Sequence, residues 1–119
     1  PHLGASTAES ETNCAIMAVE QLREYLENGN IINSVNFPAA EMERTGSARI
    51  IVANKNVPNM VGQITTVLAS ENVNIANMLN RNRNQIAYNI IDIDRADVCP
   101  SVCEKLEKID GVFLVRMIL

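Results

Sequence analysis

The chain has 119 residues, of which 47% are hydrophobic and 3% aromatic, and it contains no Trp. This length suits one domain with an aliphatic core. The net charge is −4; residues 1–47 hold seven acids and two bases, residues 48–119 seven acids and eight bases. Neither part has the basic stripe that nucleic-acid binding requires. No apolar run approaches the ~18 residues of a membrane span, and no leader opens the chain, so we expect a cytoplasmic protein without a membrane or nucleic-acid partner.

The first predicted element is a long helix. Ser6 and Glu9 have the spacing of a capping box, which predicts a helix start near Thr7 or Ala8, and Asn28-Gly29 ends it. One helix cannot bury its own apolar stripe, so we expect it to pack against the following domain or to swap to another copy of the chain. The apolar stripe consists of Ala15, Ala18, Val19, Leu22, Tyr25 and Leu26.

The next segment connects this helix to the rest of the chain. Residues 31–35 read as a short extended piece that Phe37-Pro38 ends. Residues 39–47 are polar, carry mixed charges and contain Gly46, which predicts a linker that acts as a hinge.

From Ala48 onwards the pattern alternates between strands and helices. Short β-branched and apolar runs predict strands at 49–53, 73–83, 86–94 and 112–119. Helical spacing predicts helices at about 60–70 and 97–109. The order βαββαβ is that of the α+β ferredoxin-like fold, a four-stranded antiparallel sheet with two helices on one face. The other face of the sheet then needs a partner or water.

Cysteines and acidic pairs give little sign of a metal site. Cys14, Cys99 and Cys103 are odd in number, which argues against a disulfide framework, and a zinc site needs about four ligands. We therefore expect buried or half-buried thiols and no metal. Asp92 and Asp94 share one face of a strand, and we expect an exposed strand end there.

Two groups of residues have chemistry that suits a function. His2 is the only histidine, and a histidine that titrates near neutral pH is a natural proton carrier when a hydroxyl loses a hydride to a nicotinamide. The loop of residues 54–60 is rich in Asn, whose amide offers an acceptor to an ammonium and a donor to a carboxylate. The helix start after this loop adds N–H groups that favour an anion.

The opening Pro1-His2-Leu3-Gly4-Ala5-Ser6-Thr7 resembles the stretch around the catalytic histidine in the D-3-phosphoglycerate dehydrogenase family, and the resemblance continues through Asn33-Ser34-Val35-Asn36-Phe37-Pro38 to the end of the chain. It implies that residues 1–38 are the end of an NAD-dependent catalytic region, 39–47 a hinge and 48–119 a regulatory ACT domain. His2 would be catalytic in a longer parent protein. The chain starts without Met and holds no G-x-G-x-x-G loop, so we expect a fragment that binds no cofactor and is inactive alone.

Residues 54–60 together with Val73-Asn74-Ile75 resemble the two signature segments of an ACT domain. The resemblance implies that L-serine is bound by Asn56 of one subunit and Asn74 of its neighbour, with Asn54 as a third contact. The chain departs from the family at Asn59, where Gly is usual, and at Asn54, where serine-responsive bacterial members tend to have His. The candidate effector residues are Asn54, Asn56, Val57, Asn59, Met60, Asn74 and Ile75.

Two functions remain open at this stage. The domain acts either as a serine sensor that forms a dimer or larger homo-oligomer, or only as a dimerisation plate that covers sheet edges. Any single Asn is also a common turn former. A base-stacking RNA domain would need more aromatics than Tyr88, and an acylphosphatase-like enzyme would need an Arg in the first loop, where only Lys55 is basic.

Overall fold

The β-branched runs form strands and the segments of helical spacing form helices in the computed structural model, which describes residues 8–32, 34, 37–97 and 101–119. The elements are α1 (Ala8–Asn28), β1 (Ala48–Lys55), α2 (Met60–Ser70), β2 (Ile75–Arg83), β3 (Ile86–Ile93), α3 (Ser101–Glu107) and β4 (Val112–Ile118). The predicted long helix and the βαββαβ order after it are confirmed. Residues 98–100, predicted as the first turn of the last helix, lie outside the described residues.

The strands form one antiparallel sheet in the order β2-β3-β1-β4. In the centre of the sheet, Ile50 of β1 lies opposite Ile91 of β3 and Met117 of β4. β1 is buried at every position except Lys55. A strand that is covered on both faces is expected to contain a continuous apolar run, which residues 50–53 of β1 provide between the buried polar residues Arg49 and Asn54.

One face of the sheet, here called the helix face, packs against α2 and α3. Alternate residues of β1 and β3 meet the apolar sides of the two helices, as the two-residue period of a strand requires. The buried members of this core are Ala48, Ile50, Val52, Ile64, Leu68, Val73, Ile91, Ile93, Val102 and Leu106.

The opposite face, here called the outer face, is covered by the chain itself. Ile31 and Ala40 form an isolated bridge through two backbone hydrogen bonds of 2.7 and 3.0 Å, and both side chains are buried against the outer face. Phe37 meets the ring of Tyr88 edge-on, with centroids 5.9 Å apart. The sequence analysis expected a partner or water on this face, whereas the structure covers it with Ile31, Phe37, Ala40 and Met42.

A buried ion pair holds this cover to the sheet. Arg49 on β1 lies opposite Asp92 on β3, and two hydrogen bonds of 2.6 and 3.0 Å join Nε and Nη2 to the two carboxylate oxygens. Both side chains are 0% exposed. Thr45 donates to Asp92 from its backbone N–H and its hydroxyl, at 2.9 and 3.1 Å. The expectation of an exposed strand end was therefore wrong for Asp92, because a cross-strand arginine neutralises it.

The pKa of Asp92 reflects this environment. Burial of the carboxyl raises its pKa, but hydrogen bonds from Arg49 and Thr45 and the charge of Arg49 outweigh the burial and hold the pKa below its usual range. The ionised form is therefore the one that stabilises the fold.

The C-terminal end of α1 is bound by side chains from the sheet and from residue 44. The helix has no basic residue in its last turn, and it stops at Gly29, whose φ of +71° suits glycine. Five consecutive backbone carbonyls accept side-chain donors, a set here called the carbonyl clamp. The donors are Arg116 to Tyr25 and Leu26, Arg44 to Glu27, Arg49 to Asn28, and the Tyr88 hydroxyl to Gly29. Three guanidinium groups thus meet the negative end of the helix dipole.

Residues 39–47, predicted as a linker, make specific contacts along their length. Met42 donates its N–H to the Asn30 side chain at 3.0 Å, and Arg44 donates to the carbonyl of Leu119 at 3.1 Å. Gly46 lies so close to β3 that an added Cβ would be 2.4 Å from the carbonyl oxygen of Ile93. The hinge role and the domain boundaries stay predictions.

The apolar stripe of α1 is exposed over the part of the helix whose side chains are described. Val19, Leu22 and Leu26 are 65%, 57% and 54% exposed, whereas Tyr25 is half-buried and packs against the core of the outer face. Among the described side chains of the stripe, the expected packing on the sheet is therefore found at Tyr25. Within the described ranges, no helix is both long enough and apolar enough to cross a bilayer.

We predict that Asp92→Asn destabilises the fold by about 3–5 kcal/mol, because Arg49 keeps a buried charge without its counter-ion. Urea unfolding of the variant and the wild type measures this difference. Arg23→Ala serves as the control, since it breaks an exposed ion pair with Glu27 of the kind that contributes less than about 0.5 kcal/mol.

The same pair predicts an acid dependence. The contribution of Asp92 is fully present above the usual aspartate pKa of about 3.9 and is lost as the pH falls towards its lower folded-state pKa. The stability gap between wild type and Asp92→Asn should therefore shrink below about pH 3.9. A gap that stays constant down to pH 2 would contradict the ionised pair.

Candidate ligand-binding cleft at the start of the second helix

A cleft opens on the helix face where β1 ends and α2 begins, and we call it the amide cleft. The pairing of β1 with β4 shifts register between Ala53 and Asn54, and bulges of this kind re-aim side chains near sites. The cleft has a volume of about 320 Å³, within the range of pockets for small ligands. Its lining residues are Asn54, Asn56, Val57, Asn59, Met60, Val61, Gly62, Asn80 and Ala87.

Asn54 lies at the back of the cleft and is only 1% exposed. Its Nδ2 donates to the carbonyl of Lys55 at 2.7 Å, and its Oδ1 accepts from Asn89 at 2.8 Å. Asn89, fully buried on β3, also donates to the carbonyl of Val52 at 3.1 Å, and it accepts from Asn80 on β2. Three amides on three neighbouring strands thus form one hydrogen-bonded chain, here called the amide relay.

Asn56 is held at the mouth of the cleft by the turn between β2 and β3. Its backbone N–H donates to the carbonyl of Gln85 at 2.8 Å, and its Nδ2 donates to the carbonyl of Asn84 at 3.0 Å. Asn84 has a φ of +55°, as the tight turn requires. The donors of the Asn56 amide are directed at backbone, and its Oδ1 accepts no hydrogen bond from the residues that the structure describes.

Asn59 shapes the entry into α2. It has a φ of +68°, the left-handed conformation in which Asn is tolerated better than most residues. Its side chain makes no capping hydrogen bond, and the first turn of α2 has no acidic residue. The N–H groups of that turn therefore meet no side-chain acceptor from their own helix, and they lie beside the cleft at Met60, Val61 and Gly62.

The two remaining candidate residues lie far from this cleft within the same chain. Asn74 precedes β2 and donates to Asp94 at 2.6 Å, while Ile75 lies opposite Ile93. Asn54 lies opposite Ala87, six positions away along β3, which corresponds to roughly 20 Å. One chain brings together Asn54, Asn56, Val57, Asn59 and Met60, but not Asn74 and Ile75.

A larger cleft lies beside it, between α2 and Ile109, but its polar groups are already engaged. It measures about 390 Å³, and it includes Gln63 and Thr66. The amide of Gln63 donates to the carbonyl of Asn59 at 3.2 Å, and the hydroxyl of Thr66 donates to the carbonyl of Gly62 at 2.7 Å. The amide cleft is therefore the better candidate for a polar ligand.

No metal-binding group emerges from the part of the chain that the structure describes, where His, Cys, Asp and Glu form no cluster of three. Cys103 is half-buried. His2, Cys99 and the side chain of Cys14 lie outside the described residues.

Sequence reasoning missed Asn80 and Asn89. Their signal was present, because an Asn inside the otherwise apolar run of β3 must find hydrogen-bond partners when it is buried. What the sequence did not show was the register that places Asn89 between Asn54 and Asn80.

Comparison with solved structures gives the class of the fold. The solution structure of the ACT domain from GTP pyrophosphokinase of Chlorobium tepidum superposes with a TM-score of 0.52 at 26% identity, over 60% of this chain and 83% of that one. No protein-family model matches the sequence. The sheet with its two helices has the fold of that ACT domain.

Curated relatives identify the protein more closely. The D-3-phosphoglycerate dehydrogenase of Haemophilus influenzae is 30% identical over 119 residues, which are 99% of this chain and 29% of that enzyme. The enzyme of Escherichia coli K12 is 29% identical over the same shares. The chain is a homologue of the C-terminal part of D-3-phosphoglycerate dehydrogenases, and it spans about 29% of their length.

We predict that Asn59→Ala destabilises the fold by about 1 kcal/mol and that Asn59→Gly changes its stability by less than about 0.5 kcal/mol. Asn tolerates a positive φ because of its short polar side chain and Gly because it lacks a Cβ, whereas Ala has neither property. Thermal unfolding of both variants tests this. Equal losses in the two variants would show that the Asn59 side chain, and not its backbone conformation, is what matters.

Proposed function

We propose that the chain is the C-terminal regulatory region of an NAD-dependent D-3-phosphoglycerate dehydrogenase, and that its ACT domain binds L-serine as a feedback effector. The observation that carries this proposal is the amide cleft, where Asn54 and Asn56 face an uncapped helix start. Homology with dehydrogenases of that name supports the choice of parent enzyme. The proposal places the protein in the cytoplasm.

The cleft matches the charges of a small zwitterion. The carboxylate is stabilised by the N–H groups at the start of α2, which carry partial positive charge. The ammonium is stabilised by the Oδ1 of Asn56, since the donors of that amide are directed at the Asn84 carbonyl. Glycine shares both charged groups, so the serine hydroxyl must supply any discrimination between them.

A second copy of the chain completes the site. β2 is an edge strand, so it can pair with β2 of a second copy of the chain. If the two strands run antiparallel, the start of β2 in the second copy lies beside the end of β2 in the first. Asn74 of the second copy would then approach the amide cleft of the first copy, which Asn74 of the first copy cannot reach. A ligand held by both copies fixes their relative orientation, which is how binding would act on the catalytic regions.

The dehydrogenase reaction needs an acid–base residue and a site for the dinucleotide. His2 would be its acid–base residue, and NAD would supply the hydride acceptor. The residues present do not fit a dinucleotide site, because the sequence has no G-x-G-x-x-G loop. We therefore expect the chain alone to have no dehydrogenase activity.

The alternative is a dimerisation plate without an effector. The unpaired edges of β2 and β4 favour it, since exposed edges are commonly covered by pairing with another chain. In this alternative the chain still forms a dimer, but the amide cleft has no part in its function.

We predict that L-serine binds the wild-type chain in isothermal calorimetry and that Asn56→Ala weakens binding by about tenfold or more, because a hydrogen bond to a charged group is lost. Gln21→Ala is the control, since Gln21 carries an amide on α1 away from both the cleft and β2, and it should bind like the wild type. Asn54→Ala should also lose binding.

Light scattering on the same samples separates the two functions. Lost serine binding with an intact dimer in Asn56→Ala supports the sensor. If the wild type gives no binding heat at millimolar L-serine, the effector role is overturned and the dimerisation plate is the remaining function. A monomeric wild type at micromolar concentration overturns the pairing on which both depend.

A further inference from the structure

The amide relay places a polar group where an aliphatic side chain would be expected. Asn89 is 0% exposed within β3, between Tyr88 and Ile90, which are also fully buried. Burying an amide is costly unless its donors and acceptors are satisfied. Asn89 meets this condition through Asn80, Asn54 and the carbonyl of Val52.

The two backbone carbonyls in the relay fix the direction of every amide. A carbonyl only accepts, so the group of Asn89 that faces the Val52 oxygen must be its Nδ2. The same Nδ2 faces Asn54, which must therefore present its Oδ1 in that direction. At the other end, the group of Asn54 that faces the Lys55 carbonyl must be its Nδ2.

This orientation determines what Asn54 offers to the cleft. Its Oδ1 is occupied by Asn89, and one of its two N–H bonds is occupied by the Lys55 carbonyl. The second N–H remains for a ligand. If the Asn54 amide were reversed, its Oδ1 would face the Lys55 carbonyl and its Nδ2 would face the Nδ2 of Asn89. The relay therefore selects a hydrogen-bond donor at the back of the cleft.

We propose that Asn89 is a positioning residue for the ligand: by fixing the amide of Asn54, it makes the back of the amide cleft a donor that selects the carboxylate of an amino acid. Together with the N–H groups at the start of α2, this donor forms the carboxylate side of the site. The acceptor of Asn56 then forms the ammonium side. This inference rests on the proposed function, and it assigns the polarity of the same cleft.

A merely structural Asn89 would lead to a different expectation. Leu is close to Asn in size, but it leaves the Val52 carbonyl, the Asn54 Oδ1 and the Asn80 amide without the partner that Asn89 supplies, so Asn89→Leu is expected to lose some stability whatever its role. A structural role would therefore change stability or the binding of all ligands alike. A positioning role changes the preference for the carboxylate.

The test compares L-serine with L-serinamide, in which a neutral amide replaces the carboxylate. We expect the wild type to bind L-serine at least tenfold more tightly than L-serinamide. In Asn89→Leu, affinity for L-serine should fall at least tenfold, while affinity for L-serinamide changes less than about threefold. Gln21→Leu, the same change of an amide to Leu on α1 away from the cleft and from β2, is the control and should keep the wild-type ratio.

The outcomes separate this inference from the proposed function. If the wild type binds L-serine and Asn89→Leu keeps the same ratio of affinities for L-serine and L-serinamide, the positioning role is overturned and the serine site stands. Wild type that binds neither ligand overturns the proposed function and the ligand role of Asn89 with it.

A second measurement does not depend on the folding of the variant. In the nitrogen-15 NMR spectrum of the wild-type chain, one side-chain N–H of Asn54 should shift on addition of L-serine, while those of Asn89 stay in place. Equal shifts of both side chains, or none at Asn54, would overturn the assigned orientation.

Discussion

The Arg49–Asp92 ion pair is the interaction on which the arrangement of the whole chain depends. It joins the two central strands directly, and through Thr45 and the Asn28 carbonyl it also holds the segments on either side of residues 31–42. A buried pair of this kind contributes less to stability than its geometry suggests, because both charges lose their hydration. It also favours this placement of the outer cover, since any other placement would remove the hydrogen bonds that Thr45 and the Asn28 carbonyl make with the pair.

The ion pair and the amide cleft use opposite faces of the same two strands. Along β1, Arg49 points to the outer face, whereas Asn54 lies at the far end of the strand on the helix face. The relay crosses β3 at Asn89, three residues from Asp92, so both polar groups lie on one short and fully buried stretch of strand.

Much of the fold could be predicted from the sequence, because the apolar runs and their periods are local properties. The loop residues Asn54, Asn56 and Asn59 were also identified, since they lie within six positions between a strand and a helix. The cross-strand partners could not be predicted from the sequence, because strand pairing depends on register. Asp92 was therefore taken for an exposed residue and Asn89 was overlooked, although each is buried and paired with a strand neighbour.

The carbonyl clamp bears on how this domain could be moved between proteins. A piece beginning at Ala48 would retain every strand and both packed helices, yet Arg49 would lose its acceptor at Asn28 and Tyr88 would lose its acceptor at Gly29. The smallest transplantable unit therefore includes the last turn of α1 and the connection that follows it. Recombination or fusion at the first strand would yield a destabilised graft, whereas a junction inside α1 would preserve the set of contacts.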